Sequence, residues 1–171
     1  MKITGLFKVK TAHILLLSIS IVALASAYIA EYGFDLKPCQ FCLWERYPYW
    51  LMILLAGSAL VVKRLSRFLL LMGLLVFIVS VGITSYHVAV EHKWVSAPES
   101  CQSKIVLDDT PTYEEIRAQL MAQDHVVRCD IVPFRFLGLS IAEWNLLLNL
   151  ALVGYIIITF RKTRRAYDER R

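Results

Sequence analysis

Four long apolar runs, separated by polar segments, set the plan of this chain. They cover about 13–30, 45–62, 68–90 and 141–160. Each is close to the roughly 20 residues that a helix needs to cross a bilayer. The second begins between Leu43 and Tyr49 and runs to Val62. Apart from Arg46 at that uncertain start, none contains Lys or Arg, which are costly at the bilayer centre. The pattern predicts an all-α integral membrane protein, a four-transmembrane-helix bundle forming a single membrane domain over 1–171. With 57% hydrophobic residues, the chain is too apolar for an ordinary soluble domain of its size.

The polar segments predict the rest. Loops of about 31–44 and 91–140 lie on one side of the bundle, and a tight turn between the second and third spans lies on the other. The long loop is rich in acidic residues and is expected to carry a short amphipathic helix over 112–123. Thr112 and Glu115 make a capping box there, and Thr110-Pro111 offers another start. Tyr113, Ile116, Leu120 and Met121 share one face, which packs on the bundle or lies on the membrane surface. Ser140-Ile141-Ala142-Glu143 is a second capping box, opening the fourth span. Trp44, Tyr47, Tyr49, Trp50, Trp94 and Trp144 fall near outer span ends, as an aromatic belt does. No repeat or low-complexity segment interrupts this plan.

Charge supplies an orientation. Lys2, Lys8 and Lys10, then Lys63, Arg64 and Arg67, then Arg161, Lys162, Arg164, Arg165, Arg170 and Arg171 make twelve of the nineteen basic residues, in three short segments. The positive-inside rule places those segments, and so both termini, in the cytoplasm. The net charge of +5 is thereby explained as topological anchoring, and no nucleic-acid partner is expected. The first apolar run, with Ala25-Ser26-Ala27 near its end, resembles a cleavable signal but exceeds the usual apolar core of one. It is read as a retained span.

All four cysteines then fall outside the cytoplasm, where disulfides persist. Cys39 and Cys42 form a C-x-x-C just before the second span. Cys101 and Cys129 lie in the long loop. A C-x-x-C is a redox dithiol or half of a zinc site. Two inert structural disulfides are a further reading, and four cysteines allow three connectivities.

Position favours reactivity. Cys42 lies at or near a helix start, which stabilises a thiolate, and Arg46 follows one turn later on the same face. Arg46 is expected to favour thiolate at Cys42 and to polarise a bound acceptor's carbonyl, or else to anchor at the lipid headgroups. Glu45 pairs with Arg46 or faces water. A dithiol at the bilayer edge has a membrane quinone as its natural acceptor of two electrons and two protons. His87, near the outer end of the third span, is placed to donate a proton or hydrogen bond to a quinone oxygen, or is an interfacial histidine. His92 and His125 read as surface residues and His13 as an inner-interface one. Neither C-x-x-C-H nor G-x-G-x-x-G is present, so nothing points to haem or flavin. The long loop supplies the other end of a relay if it offers a disulfide to a partner's thiolate and then brings a cysteine to Cys39.

Several stretches resemble the bacterial disulfide bond formation protein B family. Lys37-Pro38-Cys39-Gln40-Phe41-Cys42-Leu43-Trp44-Glu45-Arg46 is similar to that family's K-P-C-x-x-C-x-x-E-R. Cys129-Asp130-Ile131-Val132-Pro133-Phe134-Arg135-Phe136-Leu137-Gly138-Leu139-Ser140 is similar to its C-D-x-V-P-[WF]-x-F-L-G-L-S, with Phe134 where tryptophan is more frequent. Tyr86-His87-Val88-Ala89-Val90-Glu91 and the later Pro98-x-x-Cys101 also look familial. The resemblance runs from the first span through the fourth. It implies an enzyme of the bacterial inner membrane, its active site facing the periplasm, that re-oxidises a periplasmic DsbA-like thioredoxin-fold protein. The implied path runs through Cys101/Cys129, with Cys101 the sulfur attacked, then through Cys39/Cys42, to ubiquinone or menaquinone from the membrane pool. Arg46 corresponds to the quinone-site arginine, and His87 and Glu45 join it as quinone-proximal residues. Two alternatives remain: a vitamin K epoxide reductase-like membrane thiol oxidoreductase, whose C-x-x-C is expected near the end of a late span, and a non-enzymatic scaffold with structural disulfides.

Overall fold

A computed structural model describes residues 8–101, 113–114, 117, 127–132 and 134–168. Helix α1 spans Val9–Gly33, α2 Gln40–Trp44, α3 Tyr47–Val61, α4 Ser66–Glu91 and α5 Ile141–Asp168. Single 3-10 turns lie at Lys63–Leu65 and Glu99–Cys101. The segment 112–123 lies largely outside the described residues.

The apolar runs at 13–30, 68–90 and 141–160 form α1, α4 and the apolar part of α5, each extended by a few residues beyond its run. Three helical stretches, Val9–Gly33, Lys63–Glu91 and Ile141–Thr163, are long and apolar enough to cross a membrane. The second run divides. Helix α2 stops at Trp44, the chain turns through Glu45 and Arg46, and α3 restarts with Pro48 in its first turn, where the missing N–H has no intrahelical partner to lose. At 15 residues, α3 is about 22 Å long, short of a 30 Å hydrocarbon core.

Helix α1 packs chiefly on α3, α3 on α4, and α4 on α5, with lighter contacts from α1 to α4 and α5 closing the bundle. Leu16, Met52, Leu70, Phe77 and Ile156 are fully buried where these helices meet. A Cβ on Gly73 would stand 2.9 Å from Met52 Sδ, so glycine is what lets α4 approach α3 there. Less than a third of each apolar stretch is buried, and Val22, Ile29, Leu54, Phe68 and Val79 face outward. An apolar exterior of this kind suits lipid rather than water.

His13, expected at an interface, is buried and bonds through Nε2 to the Ser66 carbonyl at 2.9 Å, tying α1 to the start of α4. The second capping box forms. Ser140 N–H donates to Glu143 at 2.6 Å and Glu143 N–H donates to Ser140 Oγ at 3.1 Å. Just before it, Arg135–Phe136 (β1) and Leu139–Ser140 (β2) make a two-stranded antiparallel hairpin. Both turn residues, Leu137 and Gly138, have positive φ (53° and 84°), as a two-residue hairpin of matching twist requires. Trp144 Nε1 donates to the Phe136 carbonyl at 3.0 Å and clips the hairpin to α5.

Candidate dithiol site

One end of the bundle gathers all four cysteines. Cys39 is the N-cap of α2, and its sulfur accepts the Cys42 N–H at 3.3 Å. The two thiols are free, with their sulfurs 2.8 Å apart. Cys101 and Cys129 are joined as a disulfide. Cys39, Phe41, Val90, Cys101 and Cys129 form one buried cluster, and both disulfide residues are only 1% exposed. The loop disulfide is therefore packed among these side chains rather than displayed.

His87 reaches this cluster from α4. Its Nε2 lies 3.5 Å from the Cys39 sulfur, and its Nδ1 lies 2.6 Å from Glu45 Oε1. The Phe41 ring packs against the imidazole at 5.3 Å between centroids. With a carboxylate at Nδ1, the ring N–H belongs there, and Nε2 faces sulfur, placed to hold the proton that the Cys39 thiol gives up. Glu91, one turn on, approaches Nε2 at 3.9 Å and accepts from Ser140 Oγ at 2.6 Å.

The two thiols have opposite electrostatics. The hydrogen bond from Cys42, with His87 adding to it against the effect of burial, holds the Cys39 thiol down to about 4. That same bond, then burial, pushes the Cys42 thiol up. The spacing argument favoured thiolate at Cys42 through Arg46. In the structure the guanidinium donates to Glu31 on α1 at 2.6 Å and lies 4.8 Å from the Tyr28 ring centre, and the conditions for a thiolate gather at Cys39.

Cys42 faces another way. It lines a cavity of about 720 Å³ that runs between α1, α3 and α5. Ile19, Val22 and Leu148 contribute apolar wall; Arg46, Glu45 and His87 stand beside Cys42. Its size is within the range of small-molecule sites, and it combines apolar walls with a few convergent polar groups. Cys39 is not on that lining.

Cys39, Cys42 and His87 place their ligand atoms within 4.8 Å of one another, the one such metal-capable group among the described residues. Two thiolates on a tetrahedral zinc stand about 3.8 Å apart, given Zn–S near 2.3 Å, so the sulfurs would have to separate by about 1 Å. A four-cysteine site is closed off by the Cys101–Cys129 bond.

Sequence reasoning passed over three residues here. Asn145 Nδ2 donates to Glu45 Oε2 at 2.7 Å. Tyr49 OH donates to Asn145 Oδ1 at 2.5 Å and to Asn149 Oδ1 at 3.2 Å. The available signal was Asn145 and Asn149 one turn apart in an apolar span, where uncharged amides also need partners. Tyr49, assigned to the aromatic belt, is buried. His92 is an exposed partner of Glu143, at 2.9 Å, and His125 lies outside the described residues.

Comparison with known proteins adds a lineage to this geometry. The family model described as disulfide bond formation protein DsbB matches residues 9–159. An uncharacterized protein of Rickettsia prowazekii (strain Madrid E) is 33% identical over 147 residues, covering 86% of this chain and 85% of that one. Disulfide bond formation protein B of Polaromonas sp. (strain JS666) is 30% identical over 149 residues, covering 84% and 88%. The protein of the same name from Xylella fastidiosa (strain Temecula1) is 30% identical over 155 residues, covering 83% and 84%.

Proposed function

Because the chain belongs to the disulfide bond formation protein B family, a family of membrane thiol–disulfide oxidoreductases, we propose that it re-oxidises a periplasmic DsbA-like dithiol protein and passes the electrons to a membrane quinone. In this reading the chain crosses the inner membrane four times. The second crossing is about 45–62, α3 with the turn before it, both termini are cytoplasmic, and the loops of about 31–44 and 91–140 are periplasmic.

One observation carries the proposal: the two members of the C-x-x-C face different neighbours. Cys39 packs with the Cys101–Cys129 disulfide, and Cys42 lines the apolar cavity. A dithiol that stands between a protein-exchangeable disulfide and a lipid-side cavity is built to move electrons between them.

The proposed sequence balances. A partner thiolate attacks Cys101, Cys129 leaves, and the partner's second thiol resolves the mixed disulfide. The partner becomes a disulfide, and Cys101 and Cys129 become thiols. Exchange with an oxidised Cys39–Cys42 pair restores the loop disulfide and leaves Cys39 and Cys42 reduced. That is the distribution present in the structure, with a bonded 101–129 pair and a free 39–42 pair. Closing Cys39 on Cys42 then releases two electrons and two protons.

A quinone supplies the acceptor for both. The cavity fits one: apolar walls suit the ring and its isoprenoid tail, and Arg46, His87 and Glu45 hold the polar end beside Cys42. Arg46 orients and polarises there. The decisive assay follows quinone absorbance in detergent with a reduced thioredoxin-fold dithiol protein as donor. Quinone that stays oxidised while the intact protein and reduced donor are both present would sink the proposal.

A further inference from the structure

The polar groups around Cys39 do not stop at His87. From the Cys39 sulfur the contacts run to His87 Nε2 (3.5 Å), from His87 Nδ1 to Glu45 Oε1 (2.6 Å), and from Glu45 Oε2 to Asn145 Nδ2 (2.7 Å). The chain continues inward through Tyr49 OH and Asn149, whose Nδ2 donates to Thr84 Oγ1 at 3.3 Å, and ends where Thr84 donates to the Ser80 carbonyl at 2.8 Å. His87, Asn149 and Thr84 are 2% exposed or less, and Glu45 7%. Four helical segments contribute: α2's C-cap, α3, α4 and α5.

The donors and acceptors fix the sense of this chain. Tyr49 has one O–H, and two amide oxygens converge on it. The Glu45 carboxylate only accepts, so the NH2 side of the Asn145 amide faces it and the oxygen side faces Tyr49, whose one O–H is shared between the two amide oxygens. Both Glu45 oxygens are engaged, one by Asn145 and one by His87, so the carboxylate cannot rotate away from the imidazole. His87 in turn has its Nε2 held at the thiol. A nucleophile, a base within reach of it, and a third group orienting the base is the arrangement that activates a thiol.

We propose that Cys39, His87 and Glu45 act as a proton-transfer unit, and that Asn145 is its positioning residue. This rests on the reading of Cys39 and Cys42 as the redox dithiol and gives His87 and Glu45 a task within it. The Cys39 S–H proton moves to His87 Nε2, and the resulting imidazolium is balanced by Glu45. When the Cys39 sulfur closes on Cys42, the pair loses two electrons and two protons, and one of the protons leaves from His87, which also borders the cavity. Asn145 touches no reacting atom. It acts by keeping Glu45 on His87.

Among the described residues, titratable neighbours of the unit are few. On α2 the neighbour is Cys42, and on α4 it is Glu91, 3.9 Å from Nε2. The loop contributes the Cys101–Cys129 disulfide, which does not titrate. Arg46 between α2 and α3 is paired with Glu31 of α1, and Glu143 of α5 with His92. A pH profile measured at Cys39 therefore reports chiefly on Cys42, His87, Glu45 and Glu91.

The test is the alkylation rate of Cys39 by iodoacetamide against pH, in detergent with the Cys101–Cys129 disulfide intact and Cys39 and Cys42 free, read at peptide level by mass spectrometry. Asn145→Leu is expected to raise the midpoint by about one pH unit, and so to slow Cys39 alkylation about tenfold in buffer below the unmutated protein's midpoint. Tyr49→Phe, which keeps the ring but frees the Asn145 amide, is expected to move the midpoint the same way by less, and serves if Asn145→Leu does not fold. In a His87→Gln background, neither change should shift the profile further. An unchanged midpoint in both variants overturns the proposal, as does an equal shift with and without His87, which would mark a merely structural effect. The assay needs neither partner nor quinone, so its failure is separable from failure of the quinone-reduction assay.

Discussion

Arg46 donates to Glu31 Oε2 at 2.6 Å, joining the turn between α2 and α3 to the C-terminal end of α1. Arg46 borders the cavity that Cys42 lines, and the Tyr28 ring stands against the guanidinium. Arg46→Ala is expected to raise the quinone KM about tenfold, equivalent to about 1.4 kcal/mol, while the rate at which the reduced partner opens the loop disulfide stays unchanged. Steady-state quinone titrations beside a single-turnover partner reaction check this. A loss confined to the amount of protein in the membrane would identify Arg46 as an anchor only.

Cys42→Ser is expected to abolish quinone reduction while leaving Cys39 able to exchange with the loop. Its sulfur is the one on the cavity wall. The check is quinone absorbance together with non-reducing electrophoresis. Undiminished turnover in Cys42→Ser contradicts the electron path.

The Cys39 thiol is held down, so its thiolate persists above that lowered value and is lost only as pH falls through about 4. An unfolded thiol titrates near 8.5. Stability contributed by this thiolate is therefore present above about 8.5 and declines toward about 4, the sense of any acid whose folded value is depressed. The expected alkylation profile for Cys39 is flat through neutral pH and falls only in acid. Cys42, pushed the other way, is expected to stay nearly unreactive until strongly alkaline conditions.

What the sequence made legible was whatever depends on composition and short spacing. The apolar runs placed α1, α4 and α5 within a few residues, and the Ser140/Glu143 spacing announced a cap that forms. The break at Glu45–Arg46 was not legible as such, because Pro48 is compatible both with opening a helix and with kinking one. Nor was the destination of Arg46. Helical spacing offered Cys42, but Glu31, 15 residues earlier in sequence, is brought in by the packing of α1 on α3. The Glu45–Asn145 contact spans 100 residues, and no local pattern encodes a contact at that separation.

Cys129→Ser is expected to trap a mixed disulfide between Cys101 and the partner. It also opens the ring that the Cys101–Cys129 bond closes across 28 positions, worth roughly 3–4 kcal/mol in the chain-entropy model. Intact mass identifies the adduct, and a lowered thermal midpoint in detergent reports the lost constraint. A variant that accumulates no adduct with reduced partner would place the point of attack on another cysteine.

Ser140→Ala removes the cap acceptor for Glu143 N–H and the donor to Glu91. The expected cost is about 1–2 kcal/mol, from the cap and one buried hydrogen bond. Thermal unfolding checks it, and Ser140→Thr is expected to recover most of the loss.

The loop disulfide packs with Val90 and Phe41, with 1% of either cysteine exposed. A small thiol diffusing past meets almost no sulfur to attack, whereas a folded donor has a docking surface with which to uncover the bond. Burial then works as insulation: free thiols are kept from short-circuiting the electron path, and discrimination rests on who can uncover the bond rather than on how oxidising it is.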